Sequence, residues 1–167
     1  MYPIEWMKTD EGLDVHLGRM VRQASTLEYF IEQTAKALSG TPEAALSVSG
    51  DMVGRLIAAC KKLIEAREDV TDEWRATFED TLDAAKTAFG RRNRYVHGSV
   101  SWQGEDSVPG TTHNKRGQPE AEFVPLDMND LADLTRELRR LTFLAAACLS
   151  AVLEGFPDHL AEDYSAN

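Results

Sequence analysis

The residue types best suited to chemistry are gathered in one short segment, Arg91-Arg92-Asn93-Arg94-Tyr95-Val96-His97-Gly98. Histidine titrates near neutrality, so the side chain of His97 suits general acid or general base work. Arg92 carries a planar fork of donors that matches phosphate geometry and keeps its charge at any working pH. Asn93 can orient the histidine or offer its amide to the same phosphate. Arg91 and Arg94 add local positive charge, and with Tyr95 they are the expected substrate contacts. The chemistry implied is proton transfer beside a negatively charged phosphorus centre, with Arg92, Asn93 and His97 as its catalytic residues.

A plainer use of the same residues exists. Cationic side chains at a helix C-terminus favour the dipole there, and Gly98 is an ordinary residue just past a helix end. Capping alone leaves unexplained why Arg92 falls on an otherwise apolar stripe, because burying an unpaired arginine is costly.

Other candidates are weaker. His16, His113 and His159 are scattered, and none stands in a Glu-x-x-His or His-Glu-x-x-His spacing. Glu79, Asp80 and Asp83 read as a solvated helix face, and His113, Lys115 and Arg116 as parts of a polar loop. Trp102 and Phe123 are expected to pin that loop to the rest of the fold. The glycines after residue 98 lack the spacing of a phosphate-binding loop. Cys60 and Cys148, both among apolar neighbours, should be free thiols behaving as small hydrophobes.

Composition narrows the setting. A chain of 167 residues is long enough for a single domain with a real core, here 1–167. Its net charge of -10 argues against a sequence-blind grip on nucleic acid over the whole surface, which rests on many Lys and Arg contacts to phosphates. Contact with a polyanion would have to be made by a local basic patch. The start of the chain has neither a basic region nor an apolar signal core, and the apolar run from Leu141 to Leu153 falls short of the roughly 20 residues needed to cross a bilayer. A cytoplasmic protein without membrane contact is the expectation.

The elements that must position these residues are helices. Leu13, Leu17, Met20, Ala24, Leu27, Ile31 and Leu38 form one stripe of a long first helix, stopped by Gly40. Thr41-Pro42-Glu43 starts a second, which carries Val53, Leu56, Ile57, Cys60, Leu63 and Ile64, and residues 47–50 can split off a short turn before it. Thr71 caps a third, whose stripe of Trp74, Phe78, Leu82, Ala85 and Phe89 continues into Arg92. A fourth starts near Asp127 and carries Leu131, Leu134, Leu138, Leu141, Ala145, Cys148 and Val152. The fold class is therefore all-α, a four-helix up-and-down bundle. Glycines and prolines in 98–125 forbid helix there and make an irregular insert, in which 100–103 and 121–124 can pair as a hairpin. The tail 157–167 should fray.

An arginine, Arg92, followed directly by Asn93 and then, with four residues between it and the histidine, by His97, at the end of the third of four helices, resembles the motif of the HEPN family. The resemblance implies a metal-independent endoribonuclease that acts as a homodimer, with two motifs in one cleft and RNA as substrate, in the manner of toxins and of phage-defence or stress effectors, some held by an antitoxin. One histidine per chain cannot readily be acid and base at once, which makes a two-fold site chemically sensible. In toxins paired with a nucleotidyltransferase antitoxin a tyrosine stands two residues after the histidine; here Ser99 occupies that position, so that pairing is not expected. The competing expectation is a non-catalytic helical bundle that binds a protein partner or a nucleotide.

Overall fold

The computed structural model describes residues 4–97, 99–103, 108–113 and 122–157, the side chains of 4–12 and of most of the strands excepted. Among them are five helices and three strands: α1 (Ile4–Ser39), α2 (Pro42–Val48), α3 (Val53–Glu65), α4 (Asp72–Val96), β1 (Ser99–Gln103), β2 (Val108–His113), β3 (Glu122–Pro125) and α5 (Met128–Glu154). The chain is predominantly helical, and α1, α3, α4 and α5 form a bundle around one core. No helix among the described residues is long and apolar enough to cross a membrane.

Each helix begins and ends where local chemistry dictates. Gly40, at φ 75°, takes the left-handed turn that stops α1. The Thr41 hydroxyl accepts from the Ala44 N–H at 3.2 Å to start α2, with Pro42 at its first position. The split expected at 47–50 is real: α2 is only seven residues long and buries none of its side chains. The Thr71 hydroxyl accepts from the Trp74 N–H at 3.3 Å to open α4, and Asp127 does the same for α5 through Asn129 N–H at 2.8 Å. Asp72 and Glu73 lie in the first turn of α4, where the helix dipole favours negative charge.

The apolar stripes meet as their spacing requires. Met20, Leu27 and Ile31 of α1, Leu56 and Ile64 of α3, Phe78 of α4, and Leu131, Leu134, Leu138 and Leu141 of α5 are all essentially sealed from water. α1 lies mainly against α5 and also against α3, while α4 packs on both α3 and α5. Arg75 joins the end of α3 to the start of α4, donating to the carbonyls of Ile64 at 2.6 Å and, just beyond α3, of Arg67 at 3.1 Å. The thiols of Cys60 and Cys148 are free and buried, and burial pushes both up to about 12. They serve as core hydrophobes rather than nucleophiles.

Two expectations need correction. The runs near 100–103 and 121–124 do not pair with each other: they are the edges of a three-stranded antiparallel sheet in the order β1-β2-β3. The centre strand, Val108–His113, is polar and interrupted by Pro109 and Gly110, so its sequence does not look like a strand. Pro109 is tolerated because it faces only Trp102 of β1, the pairing to β3 beginning at Gly110. The chain is also held at 157. After Gly155 turns left-handed at φ 79°, Phe156 enters the core between Trp74 and Phe78, with the Arg67 guanidinium 5.1 Å from its ring centre. The next carbonyl, of Pro157, accepts from Trp74 Nε1 at 3.0 Å. The tail beyond it, with His159, lies outside the described residues, as do Gly98, Lys115 and Arg116 and the side chains of Trp102 and His113.

Phe156 thus closes the end of the bundle opposite the candidate site, and it does so at φ 55°, a strained angle for a large side chain. Phe156→Ala should cost about 3–5 kcal/mol of unfolding free energy in urea titrations, because the vacated space is lined by rings that cannot collapse into it. Leu46→Ala, at a residue 76% exposed, should stay within about 0.5 kcal/mol of the parent.

Candidate functional site

The last two turns of α4 and its C-cap carry all six residues singled out from the sequence. At about 100° per residue, Arg91 and Tyr95 share one face of the helix, and Asn93 and His97 share another about 200° away. The structure separates these two pairs accordingly. Tyr95 is buried, and Arg91 is half-buried on the same side, toward α5. Asn93 and His97 are exposed, as is Arg94. Arg92 lies between the two faces and is half-buried.

On the inner face, Arg91 and Tyr95 meet Asp130, in the first turn of α5. Arg91 Nη2 donates to one carboxylate oxygen at 2.5 Å, and the Tyr95 hydroxyl donates to the other. Both residues were expected to touch substrate; both are instead bonded to a carboxylate of the fold. Asp130 was not among the candidate residues. Sequence reasoning treats an acid there as an ordinary first-turn partner of the helix dipole, and nothing local reveals that it also reaches α4 across the insert. Burial works to raise the Asp130 pKa, but the hydrogen bonds from Tyr95 and Arg91 and the charges of Arg91 and Arg94 outweigh it and hold the carboxyl below its usual range. Tyr95 shifts the other way: burial, then its bond to Asp130 and that residue's charge, push the phenol well above its ordinary value. Tyr95 is therefore a hydrogen-bond donor at any working pH.

On the outer face, Arg92 Nη1 donates to Asn93 Oδ1 at 2.9 Å. The Asn93 carbonyl accepts from the His97 N–H at 3.0 Å, and His97 caps the helix. Asn93 thus joins the arginine to the histidine, by its side chain on one side and its backbone on the other. The stem of Arg92 follows the apolar stripe as its spacing requires, and the consequence is a defect: Nε is buried with no hydrogen-bond partner, the one such side-chain atom among the described residues. A buried donor left unsatisfied costs about 1–3 kcal/mol.

No group of three or more His, Cys, Asp or Glu side chains among the described residues could hold a metal ion. A void lined by Ile31, Thr34, Phe78, Thr81, Leu82, Ala145 and Cys148 has a volume of only about 10 Å³, room for a water at most. Glu79, Asp80 and Asp83 are exposed as expected, and Asp83 pairs with Lys61 of α3 at 2.7 Å. Comparison with family models, with curated proteins and with solved structures finds no match.

A depressed carboxylate pKa makes stability depend on acid. The contribution of Asp130 is fully present above the unfolded value of about 3.9 and is lost as pH falls through the lower folded value. Glu32, Asp69 and Glu137 shift in the same direction. The thermal midpoint followed by circular dichroism should therefore fall steadily below about pH 4. Asp130→Asn should flatten part of that slope; an unchanged slope in the variant would remove Asp130 from the account.

Proposed function

We propose that the protein is a metal-independent endoribonuclease of the HEPN type, working as a homodimer in which two α4 termini share one cleft. The observation that carries the reading is Arg92. The fold keeps an arginine on the apolar stripe of α4 with Nε buried and unbonded, and Asn93 accepts from the tip of its guanidinium one turn before the exposed His97. Unsatisfied buried groups and broken local rules concentrate where function opposes stability. A cap would need the charge at the helix end but not this burial.

The chemistry follows from the groups present. The ribose 2′-oxygen attacks the adjacent phosphorus as His97 of one chain removes its proton. The bond from phosphorus to the 5′-oxygen breaks, and His97 of the second chain protonates the leaving oxygen. Arg92 binds the equatorial oxygens as negative charge gathers on the phosphorane. The products are a 2′,3′-cyclic phosphate and a 5′-hydroxyl. Arg91 is already paired with Asp130, so Arg92 and the exposed Arg94 supply the positive charge that draws RNA to an acidic body. Tyr95, buried on Asp130, takes no part in substrate contact.

A second reading has its own support. Leu46 and Met52 are each 76% exposed at the α2–α3 corner, an apolar surface suited to a protein partner such as an antitoxin or other regulator. One experiment separates the two. A mixed pool of labelled RNAs is incubated in EDTA with the wild type, Arg92→Ala and His97→Ala, and the ends are analysed. The nuclease gives cyclic phosphate ends and loses at least about 100-fold in rate in either variant, the usual scale for a proton-transfer group. Equal cutting by all three proteins assigns it to a contaminant and favours the binding module.

A further inference from the structure

We propose that Asp130 is the positioning residue of the Arg92–Asn93–His97 site, setting the roll and the order of the last two turns of α4; the role of the site itself rests on the nucleolytic reading above. The argument begins with what else could hold that end of α4. Beyond His97 the chain enters the β-sheet, whose β2 strand touches α4, and returns to the bundle only at Asp127, so no short covalent link ties the helix terminus to α5. Helix ends fray unless something outside the helix binds them.

Four carboxylates stand in the first half of α5 and at its cap, and three are committed elsewhere. Asp127 accepts from the Asn129 N–H at 2.8 Å, Asp133 accepts from Arg136, and Glu137 takes two Arg140 donors at 3.0 and 2.9 Å. Asp130 alone of the four bonds to α4, and it uses both oxygens, one for Arg91 and one for Tyr95. Those two residues are one helical turn apart, so a single carboxylate fixes α4 both along its axis and in rotation.

Rotation is the quantity that matters. Arg91 precedes Arg92, and Tyr95 lies between Asn93 and His97, so turning the inner pair toward Asp130 turns Asn93 and His97 outward together. The carboxylate is itself well anchored. It stands in the first turn of a 27-residue helix whose neighbouring Leu131 and Leu134 are sealed in the core. A misplacement of about 1 Å at a reacting group is enough to cost about 100-fold in rate. Asp130 need not touch substrate to govern it.

The test uses the full chain with Asp130→Asn, with Tyr95→Phe, and with the exchanged pair Arg91→Asp and Asp130→Arg. Tyr95→Phe keeps the ring buried and removes only the hydroxyl, which covers the case of an unfolded Asp130 variant. Two quantities are followed: hydrogen exchange of the amides of 93–97 against that of core amides such as Leu82, and kcat and KM for RNA cleavage in EDTA. The clamp requires exchange at the His97 amide to quicken roughly tenfold or more in Asp130→Asn and Tyr95→Phe while the Leu82 amide holds. It requires kcat to fall roughly 10- to 100-fold with KM little changed, and the exchanged pair to recover part of both. Terminal exchange within about twofold of wild type, or acceleration spread evenly over the core, overturns it. The exchange arm does not need catalysis: a wild type that cuts no RNA defeats the nucleolytic reading, and a local loss of protection still supports Asp130 as the clamp of α4.

Discussion

α4 is tied to α5 at both ends, and most of what is distinctive in the molecule follows from that. At the start of α4 the Trp74 indole donates to the Pro157 carbonyl just beyond α5; at its end Arg91 and Tyr95 meet Asp130 just inside α5. These contacts make the two helices antiparallel and fix their register. Between the ties, apolar packing alone would allow some sliding and rolling, because leucine-rich surfaces offer several nearly equivalent fits. Directional bonds at the ends remove that freedom.

The two ties differ in kind. The one beneath Phe156 is an aromatic cluster of Trp74, Phe78 and Phe156 under the Arg67 guanidinium, and it excludes water from the end of the core. The one at Asp130 is polar and only half-buried, with the carboxylate side chain 38% exposed. Exposed ion pairs contribute little to stability, so this tie is better understood as setting geometry than as supplying energy. A domain of this size can rely on its apolar core for stability and keep polar contacts for defining one arrangement among several. The site end of α4 is where that definition is needed.

Much of the helical plan was legible because it is written in period and in caps. Leu56, Ile57, Cys60 and Ile64 of α3 and the leucines of α5 announce their faces by spacing, and Thr41, Thr71 and Asp127 mark starts by chemistry that acts over three residues. What was not legible depends on partners distant along the chain. Nothing near Val108–His113 says strand; it becomes one because two better strands flank it. Phe156 stands just before the stretch expected to fray, and nothing near it reveals that the rings that receive it lie at the beginning of α4. Tyr95 and Arg91 look like substrate contacts beside a histidine until Asp130 is placed opposite them.

The same distinction applies within the site. Arg92, Asn93 and His97 are adjacent enough in sequence for a helix to gather them, so their grouping was available from spacing alone. Their orientation was not, since it follows from which face of α4 the bundle claims. The decisive detail is that the helix has no rotation that suits every residue. Burying Tyr95 and pairing Arg91 draws one face inward, and Arg92, about 60–100° from that pair, is carried partly under with Nε sealed from water and unbonded. A sequence selected for stability alone would place a leucine or methionine at that position and lose nothing by it. That an arginine stands there, with its tip reaching out to Asn93, shows that the rotation of α4 is a compromise between a closed core and a guanidinium presented at the surface.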